Sequence, residues 1–271
     1  MNNFSKRLIF GILYVLLIVL ATTISIYIFY SLFFIFMIFT IYEFQKMTSL
    51  NSKIPYLFST SIFIGSLLLH TSNLILGKFF LLLSVLIVFS SFLTSLFNEK
   101  IKAVDFVGKI ILTIVYTVLP FFLLIELPFI GNAFNSKIIL GVFILVWTSD
   151  TFAYLIGRKF GKTKLFERIS PKKTIEGFIG GVVFTLIAAY ILSIYFIDTT
   201  LLEWLIISIL ISVFGVAGDL IESMFKRQAK VKDSSNLIPG HGGFLDRLDS
   251  IIFALPFIFT FIYITKNLNL L

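Results

Sequence analysis

Unbroken apolar runs close to twenty residues long are the feature of this sequence that most narrows what it can fold into. At 1.5 Å per residue, a helix of that length crosses a hydrocarbon core of about 30 Å. No backbone group can stay unpaired in lipid, so such runs must be helices, and their continuous rather than alternating hydrophobicity argues against a barrel. Composition agrees. Hydrophobic residues make up 58% of the chain and charged residues 13%, with a mean hydropathy of +1.04, whereas soluble domains carry about 25% charged residues. The expectation is an all-α, polytopic integral membrane helix bundle forming a single membrane domain over residues 1 to 271.

Polar breaks divide the chain into about nine transmembrane helices, near 8 to 22, 24 to 42, 55 to 70, 74 to 97, 105 to 128, 138 to 157, 175 to 196, 201 to 225 and 247 to 265. The first break, around Thr22-Thr23, is the weakest: 8 to 42 also reads as one bent helix, which would move the N-terminus across the membrane. Lys6-Arg7 before apolar sequence imitates a signal peptide, but without a small-residue cleavage site it reads as a retained first helix. With nine spans, nineteen of the 22 Lys and Arg fall on one side, in the N-terminus, the loops after spans 2, 4, 6 and 8 and the span ends that adjoin them. Only Lys78, Lys137 and Lys266 fall on the other side, and the positive-inside rule places the basic loops in the cytosol. For most of these cations, topology and contact with anionic lipid are explanation enough. The 34 Phe are expected on the lipid-facing surface.

The chain has no Cys, which excludes disulfides, thiolate zinc sites and thiol nucleophiles. No Ser, His and Asp arrangement suggests acyl transfer. His70 falls at an outer loop and reads as structural. Residues 1 to 140 are nearly free of acidic residues within the spans and read as scaffold helices, so the chemistry is expected in residues 141 to 271.

Ionisable residues inside spans are costly and point to function. Asp150 lies seven residues before Gly157, about 10 Å from the basic end of its span. Asp219 lies eight residues before Arg227, about 12 Å from the same end. Both carboxylates must face a wet space and meet a cation, which is either a metal or a Lys or Arg; an ion pair that merely ties helices together is the plainer alternative. Asp219, Glu222, Ser223 and Lys226 fall at i, i+3, i+4 and i+7, a polar stripe on one helical face. Glu222 and Lys226 also read as a simple i, i+4 salt bridge. Gly215 and Gly218 permit close approach of either a ligand or a neighbouring helix.

The loop that follows gathers Arg227, Lys230, Lys232, Asp233, Pro239-Gly240-His241-Gly242-Gly243, Asp246, Arg247 and Asp249. Glycines let backbone N–H groups approach phosphate oxygens, cations neutralise them, and carboxylates can hold a bridging divalent ion. Asp246 and Asp249 open the last span on one face, where capping of the helix dipole also explains one of them. The loop after span 6 repeats the theme with Arg158, Lys159, Lys162, Lys164, Arg168 and Ser170-Pro171-Lys172-Lys173-Thr174. A polyanionic ligand follows from this density of charge, with non-specific membrane attraction as the competitor.

These residues resemble the phosphatidate cytidylyltransferase family. Ser223, Lys226-Arg227, Lys232-Asp233, Pro239-Gly240-His241-Gly242-Gly243, Asp246-Arg247 and Asp249 look like its signature. Asp150 with Ala153-Tyr154 and Gly157-Arg158, then Ser170 to Thr174 with Glu176-Gly177, are similar to two further blocks. The resemblance covers roughly residues 147 to 250. It implies an enzyme of phospholipid biosynthesis that joins CTP to phosphatidate in the membrane, makes CDP-diacylglycerol and releases pyrophosphate. It further implies a requirement for Mg2+, with K+ as a second ion, a homodimer, and no nucleic-acid partner. The expected location is the bacterial plasma (inner) membrane, multi-pass, with the site facing the cytosol. By resemblance, metal falls to Asp219 and Asp246, with Asp249 a further ligand, and catalysis to Asp219, Asp246, Lys226 and Arg247. Substrate binding falls to Lys172, Lys173, Ser223, Arg227, Lys232, Asp233, His241, Gly242, Gly243 and Asp150.

Two other readings remain. A secondary transporter would show internal symmetry and interrupted helices in both halves, which the sequence lacks. A CDP-alcohol phosphotransferase would carry a cluster of closely spaced aspartates with an intervening Gly, also absent.

Overall fold

A computed structural model describes residues 3 to 68, 106 to 131, 134 to 238 and 242 to 268. The expected span at 74 to 97, His70 and His241 lie outside the described residues. The helices are α1 (Asn3–Ile24), α2 (Ile26–Met47), α3 (Ile54–Leu68), α4 (Phe106–Thr113), α5 (Leu119–Glu126), α6 (Ser136–Phe160), α7 (Ile175–Tyr195), α8 (Leu201–Gln228) and α9 (Leu245–Leu268). A π-helical turn, Ile114–Val118, joins α4 to α5, so the two run on as one rod. Six helical stretches among the described residues are long and apolar enough to cross a membrane: α2, the α4–α5 rod, α6, α7, α8 and α9. The chain is thus a multi-pass α-helical membrane bundle.

The first helix does break. Ser25 adopts an extended conformation and its hydroxyl accepts from Tyr27 N–H, an N-cap that starts α2 afresh. Tyr14 and Phe36, each eleven residues from Ser25, stack at 6.2 Å between centroids. One bent helix would hold them about 33 Å apart at 1.5 Å per residue, so α1 and α2 fold back on each other.

The all-α bundle carries one short hairpin between two of its helices. Lys164–Phe166 (β1) and Ser170–Thr174 (β2) form an antiparallel hairpin between α6 and α7. It is pinned to α7 from both sides. Glu176 accepts from the N–H groups of Lys162 (3.0 Å) and Thr163 (3.1 Å), while the Thr174 hydroxyl caps the helix by accepting from Gly177 N–H.

Among the described residues, many phenylalanines are in the core rather than on the lipid-facing surface. Phe29, Phe33, Phe36, Phe44, Phe121, Phe143, Phe225 and Phe253 are buried, and the exposed apolar side chains are mainly Ile, Leu and Tyr. Lipid is as apolar as any side chain, so helices in a bilayer associate through packing rather than water exclusion, and interlocked rings supply the dispersion contacts. Phe33, for example, meets Phe29 at 4.9 Å and Phe143 at 5.8 Å. In α7 the exposed residues Ile179, Val183, Ile187, Tyr190 and Ile194 trace one stripe at helical spacing, which is the lipid-facing side of that helix. By contrast Ser250, Ile251, Ile252, Phe253, Ala254 and Leu255 are consecutive and all buried, so α9 runs through the middle of the bundle.

Hydroxyls within the spans are satisfied locally. Thr113, Thr117, Thr185, Ser212 and Thr260 each donate to the carbonyl four residues earlier, at 2.7 to 2.8 Å. Ionic residues collect at the two ends. At one end Lys137 pairs with Asp198 (3.1 Å) and Lys266 with Glu203 (3.0 Å). These are the two described cations that the topology assigned to the outer side, and each is matched by an acid. The opposite end brings together the C-terminal ends of α2, α6 and α8 with the N-terminal ends of α7 and α9.

Candidate active site

At that second end, two lysine–aspartate pairs converge from three elements, β2, α8 and α9. Lys173, on β2, reaches Asp219 of α8 at 2.7 Å, and its ammonium also donates to the Val216 carbonyl. Lys173 is half-buried at this contact, while Lys172 beside it is exposed. Lys226, about two turns on from Asp219 along the same face of α8, lies 2.8 Å from Glu222 and 2.6 Å from Asp246 on α9. The Glu222–Lys226 contact is therefore more than an intrahelical bridge: Lys226 ties α8 to α9. Ser223 donates to Asp219 at 3.3 Å.

Depth differs from the sequence estimate. α6 continues to Phe160 and α8 to Gln228, which puts Asp150 about 15 Å and Asp219 about 14 Å from their helix ends. Yet α8, with 28 residues, is about 42 Å long and overshoots a hydrocarbon core. Its Asp219 pairs with Lys173, one residue from the α7 N-cap, so the pair sits level with the start of α7.

The loop from α8 to α9 is built around two carboxylates. Asp246 accepts from Gly243 N–H (2.8 Å), Ser234 N–H (2.9 Å) and the Ser234 hydroxyl (2.9 Å). Glu43 of α2, fully buried, accepts from the N–H groups of Phe244 (2.9 Å) and Leu245 (2.8 Å) and the hydroxyls of Ser234 (2.9 Å) and Ser235 (2.6 Å). A carboxylate on another helix thus caps the first turn of α9 and complements its dipole. Gly243 has no room for a side chain, since a Cβ there would overlap Ser234 and the Glu43 carboxylate. Gly242 has φ of +82°, the left-handed region that glycine adopts freely.

Asp150 accepts from the Ser250 hydroxyl at 3.5 Å and experiences the charges of Asp219, Lys173 and Arg247. Asp249 is held by Ser250 N–H at 2.7 Å and stands near Asp219, Asp150 and Glu222. Gly218 explains the closeness: a Cβ on it would come within 2.5 Å of the Asp249 carbonyl, so this glycine lets α8 and α9 touch. Arg227 is exposed and donates to the Val231 carbonyl, and Lys232 and Asp233 are exposed in the loop. Asp219, Asp246, Asp249, Asp150, Lys173, Lys226, Ser223 and Arg247 are thus one neighbourhood. Lys172, Arg227, Lys232 and Asp233 lie at its edge.

Sequence reasoning missed two residues. Glu43 was legible as a lone acid at the end of an apolar run, beside Phe44. Tyr116 gave no signal. It sits on the π-helical turn, its ring packed on Phe44 (4.9 Å) and Phe225 (5.2 Å), with Glu222, Asp249 and Asp219 as the charges acting on its hydroxyl. Such π turns re-aim a side chain within a helix and recur at functional sites.

The donor chemistry fits a divalent cation. Five carboxylates, Asp150, Asp219, Glu222, Asp246 and Asp249, face three cations, Lys173, Lys226 and Arg247. Glu222 Oε1 is buried with no hydrogen-bond partner, and the strongest charge acting on Glu222 is Asp249. Hard oxygen donors with excess negative charge suit Mg2+. Among the described residues, no three acidic or imidazole groups already converge on one point.

Comparison with known proteins follows the same lines. Phosphatidate cytidylyltransferases of Staphylococcus haemolyticus and Staphylococcus aureus are 52% and 51% identical to this chain over 120 residues, 44% of the chain and 46% of each relative. That of Bacillus subtilis is 41% identical over 156 residues, 57% of the chain and 58% of the relative. The chain thus spans about half the length of the curated relatives it matches. The family model described as cytidylyltransferase matches residues 5 to 265, and the chain belongs to the cytidylyltransferase family.

Proposed function

We propose that this chain is a phosphatidate cytidylyltransferase, converting CTP and phosphatidate to CDP-diacylglycerol and pyrophosphate. The observation that carries this reading is the placement of the Lys173–Asp219 and Lys226–Asp246 pairs at the basic end of the bundle, with Asp246 hydrogen-bonded to a serine- and glycine-rich loop. Phosphatidate keeps its tails in the bilayer, so its phosphate can meet a soluble nucleotide only at the membrane boundary.

An oxygen of the phosphatidate phosphate attacks the α-phosphorus of CTP, and the bond from that phosphorus to the bridging oxygen of the β-phosphate breaks. This nucleophile is already an anion near neutral pH, so no general base is required. The work left to the protein is to bring two polyanions together and hold them in line. Lys173, Lys226 and Arg247 would lower the repulsion between the phosphates, and Ser223, His241 and Gly242-Gly243 are assigned to substrate binding. Mg2+, held by Asp219 and Asp246 with Asp249 close by and K+ as a second ion, would supply charge neutralisation at the phosphates. Lys173 and Lys226 already pair with Asp219 and Asp246, so a metal held there would share those carboxylates with the two ammonium groups.

The finer topology belongs to the same proposal: nine spans with the 74 to 97 segment as one of them, a homodimer in the bacterial plasma membrane, and the lysine-rich end in the cytosol. Purified protein in mixed micelles should release pyrophosphate only when CTP, phosphatidate and Mg2+ are all present. Release that is independent of phosphatidate would refute the acceptor assignment.

A further inference from the structure

A second cavity, of about 630 Å³, opens beside this site between the C-terminal ends of α2 and α8 and the loop that follows. Lys46, Lys230 and Lys232 line it, with Asp233 and Ser234. All three lysines are exposed, and none has an ion-pair partner among the described residues. Three ammonium groups against one carboxylate leave the cavity strongly positive. Its wall is continuous with the reaction site, because Ser234 donates both its N–H and its hydroxyl toward Asp246.

The backbone of this cavity is unusual. α2 and α8 end in the same way: Leu50 N–H reaches back to Gln45 and Ser49 N–H to Lys46, while Val231 N–H reaches Lys226 and Lys230 N–H reaches Arg227. This double closure puts its penultimate residue in the left-handed conformation, where glycine is the low-energy choice. Here Ser49 (φ 52°) and Lys230 (φ 56°) occupy those positions. A lysine held in that conformation at the cavity mouth projects a cation where glycine would have relieved the backbone. Lys46 and Lys226 also offset the carbonyl ends of their helices, but Lys230 and Lys232 lie beyond the helix and have no such role.

We propose that this cavity is the polyphosphate subsite, taking the β- and γ-phosphates of the nucleotide and then the pyrophosphate product. The proposal rests on the cytidylyl-transfer reading and extends it: α2, from the hydrophobic half of the chain, contributes Lys46 to nucleotide binding. The same lysines would also suit a phosphate-bearing lipid headgroup, and the test separates the two sources.

Calorimetric titration of inorganic pyrophosphate into the detergent-solubilised full chain reads the cavity without turnover. Lys46→Gln and Lys232→Gln should each weaken pyrophosphate binding at least tenfold. Lys230→Gly removes a charge while relieving the left-handed backbone, so it should melt no earlier than wild type yet bind at least tenfold more weakly, which distinguishes lost ligand contact from misfolding. In turnover, the same variants should raise the KM for CTP about tenfold and leave the KM for phosphatidate unchanged. Unaltered pyrophosphate affinity in all three variants overturns the subsite, as does a rise confined to the KM for phosphatidate, which would assign the lysines to a lipid headgroup. If wild type binds pyrophosphate through these lysines but transfers no cytidylyl group, the anion subsite stands and the reaction assigned above fails.

Discussion

Glu43 on α2 and Asp246 on α9 meet at one hydroxyl: Ser234 Oγ lies 2.9 Å from a carboxylate oxygen of each. A hydroxyl has one proton, so it serves one acid at a time. Asp246 is secured as well by two backbone N–H groups, and Glu43 by two others and by Ser235. The loop from α8 to α9 is therefore clamped between two helices, α2 through Glu43 and α9 through Asp246.

Glu43→Gln retains the volume but offers an amide NH2 where every partner is a donor. Stability should fall by about 2–4 kcal/mol, in line with loss of charge-assisted hydrogen bonds in a buried site. Thermal unfolding in detergent, followed by the fluorescence of Trp147 and Trp204, would measure it. Activity should fall with the loop's order even at temperatures where the variant remains folded.

Lys226→Met leaves Glu222 and Asp246 facing each other without a cation, and both are nearly inaccessible, at 0% and 7% side-chain exposure. Breaking a buried pair in this way costs roughly 3–5 kcal/mol. Adding Glu222→Gln should recover part of that loss. A double variant no more stable than Lys226→Met alone would show that Glu222 does not depend on this lysine.

The helices were legible because each is an apolar run bounded by polar residues, and the polar residues that blurred the ends, Lys159, Arg227, Gln228 and Asp246, belong to the helices themselves. Charged stems extend a helix beyond the bilayer without cost, so hydropathy marks the membrane boundary and not the last turn. The β-hairpin was hidden because Ser170-Pro171 and Thr174 carry turn and capping chemistry. Asp219 and Lys173 were each visible, but their pairing depends on how far α8 overshoots, which no local pattern encodes. Tyr116 was invisible because a π turn shifts the helical face by one residue within an otherwise uniform apolar stretch.

Tyr116→Phe preserves the ring contacts with Phe44 and Phe225 and removes only the hydroxyl near the carboxylates. If the dipole of that hydroxyl orders the acid cluster, kcat should fall, with little change in melting temperature. An unaltered kcat would make Tyr116 a packing residue.

Gly243→Ala introduces a methyl group into space held by Ser234 and Glu43. It should reduce turnover by at least a hundredfold, because the Gly243 N–H that holds Asp246 is displaced with it. Normal CTP turnover by this variant would mean that the loop rearranges before catalysis.

The most direct measurement is the transfer of α-labelled CTP into lipid in mixed micelles, comparing wild type with Asp219→Asn. Label should enter the organic phase only with phosphatidate and Mg2+, disappear with EDTA, and be abolished in an Asp219→Asn protein that melts like wild type. Label that stays aqueous in a folded wild-type preparation, or near-normal transfer by Asp219→Asn, would contradict cytidylyl transfer at the Lys173–Asp219 site.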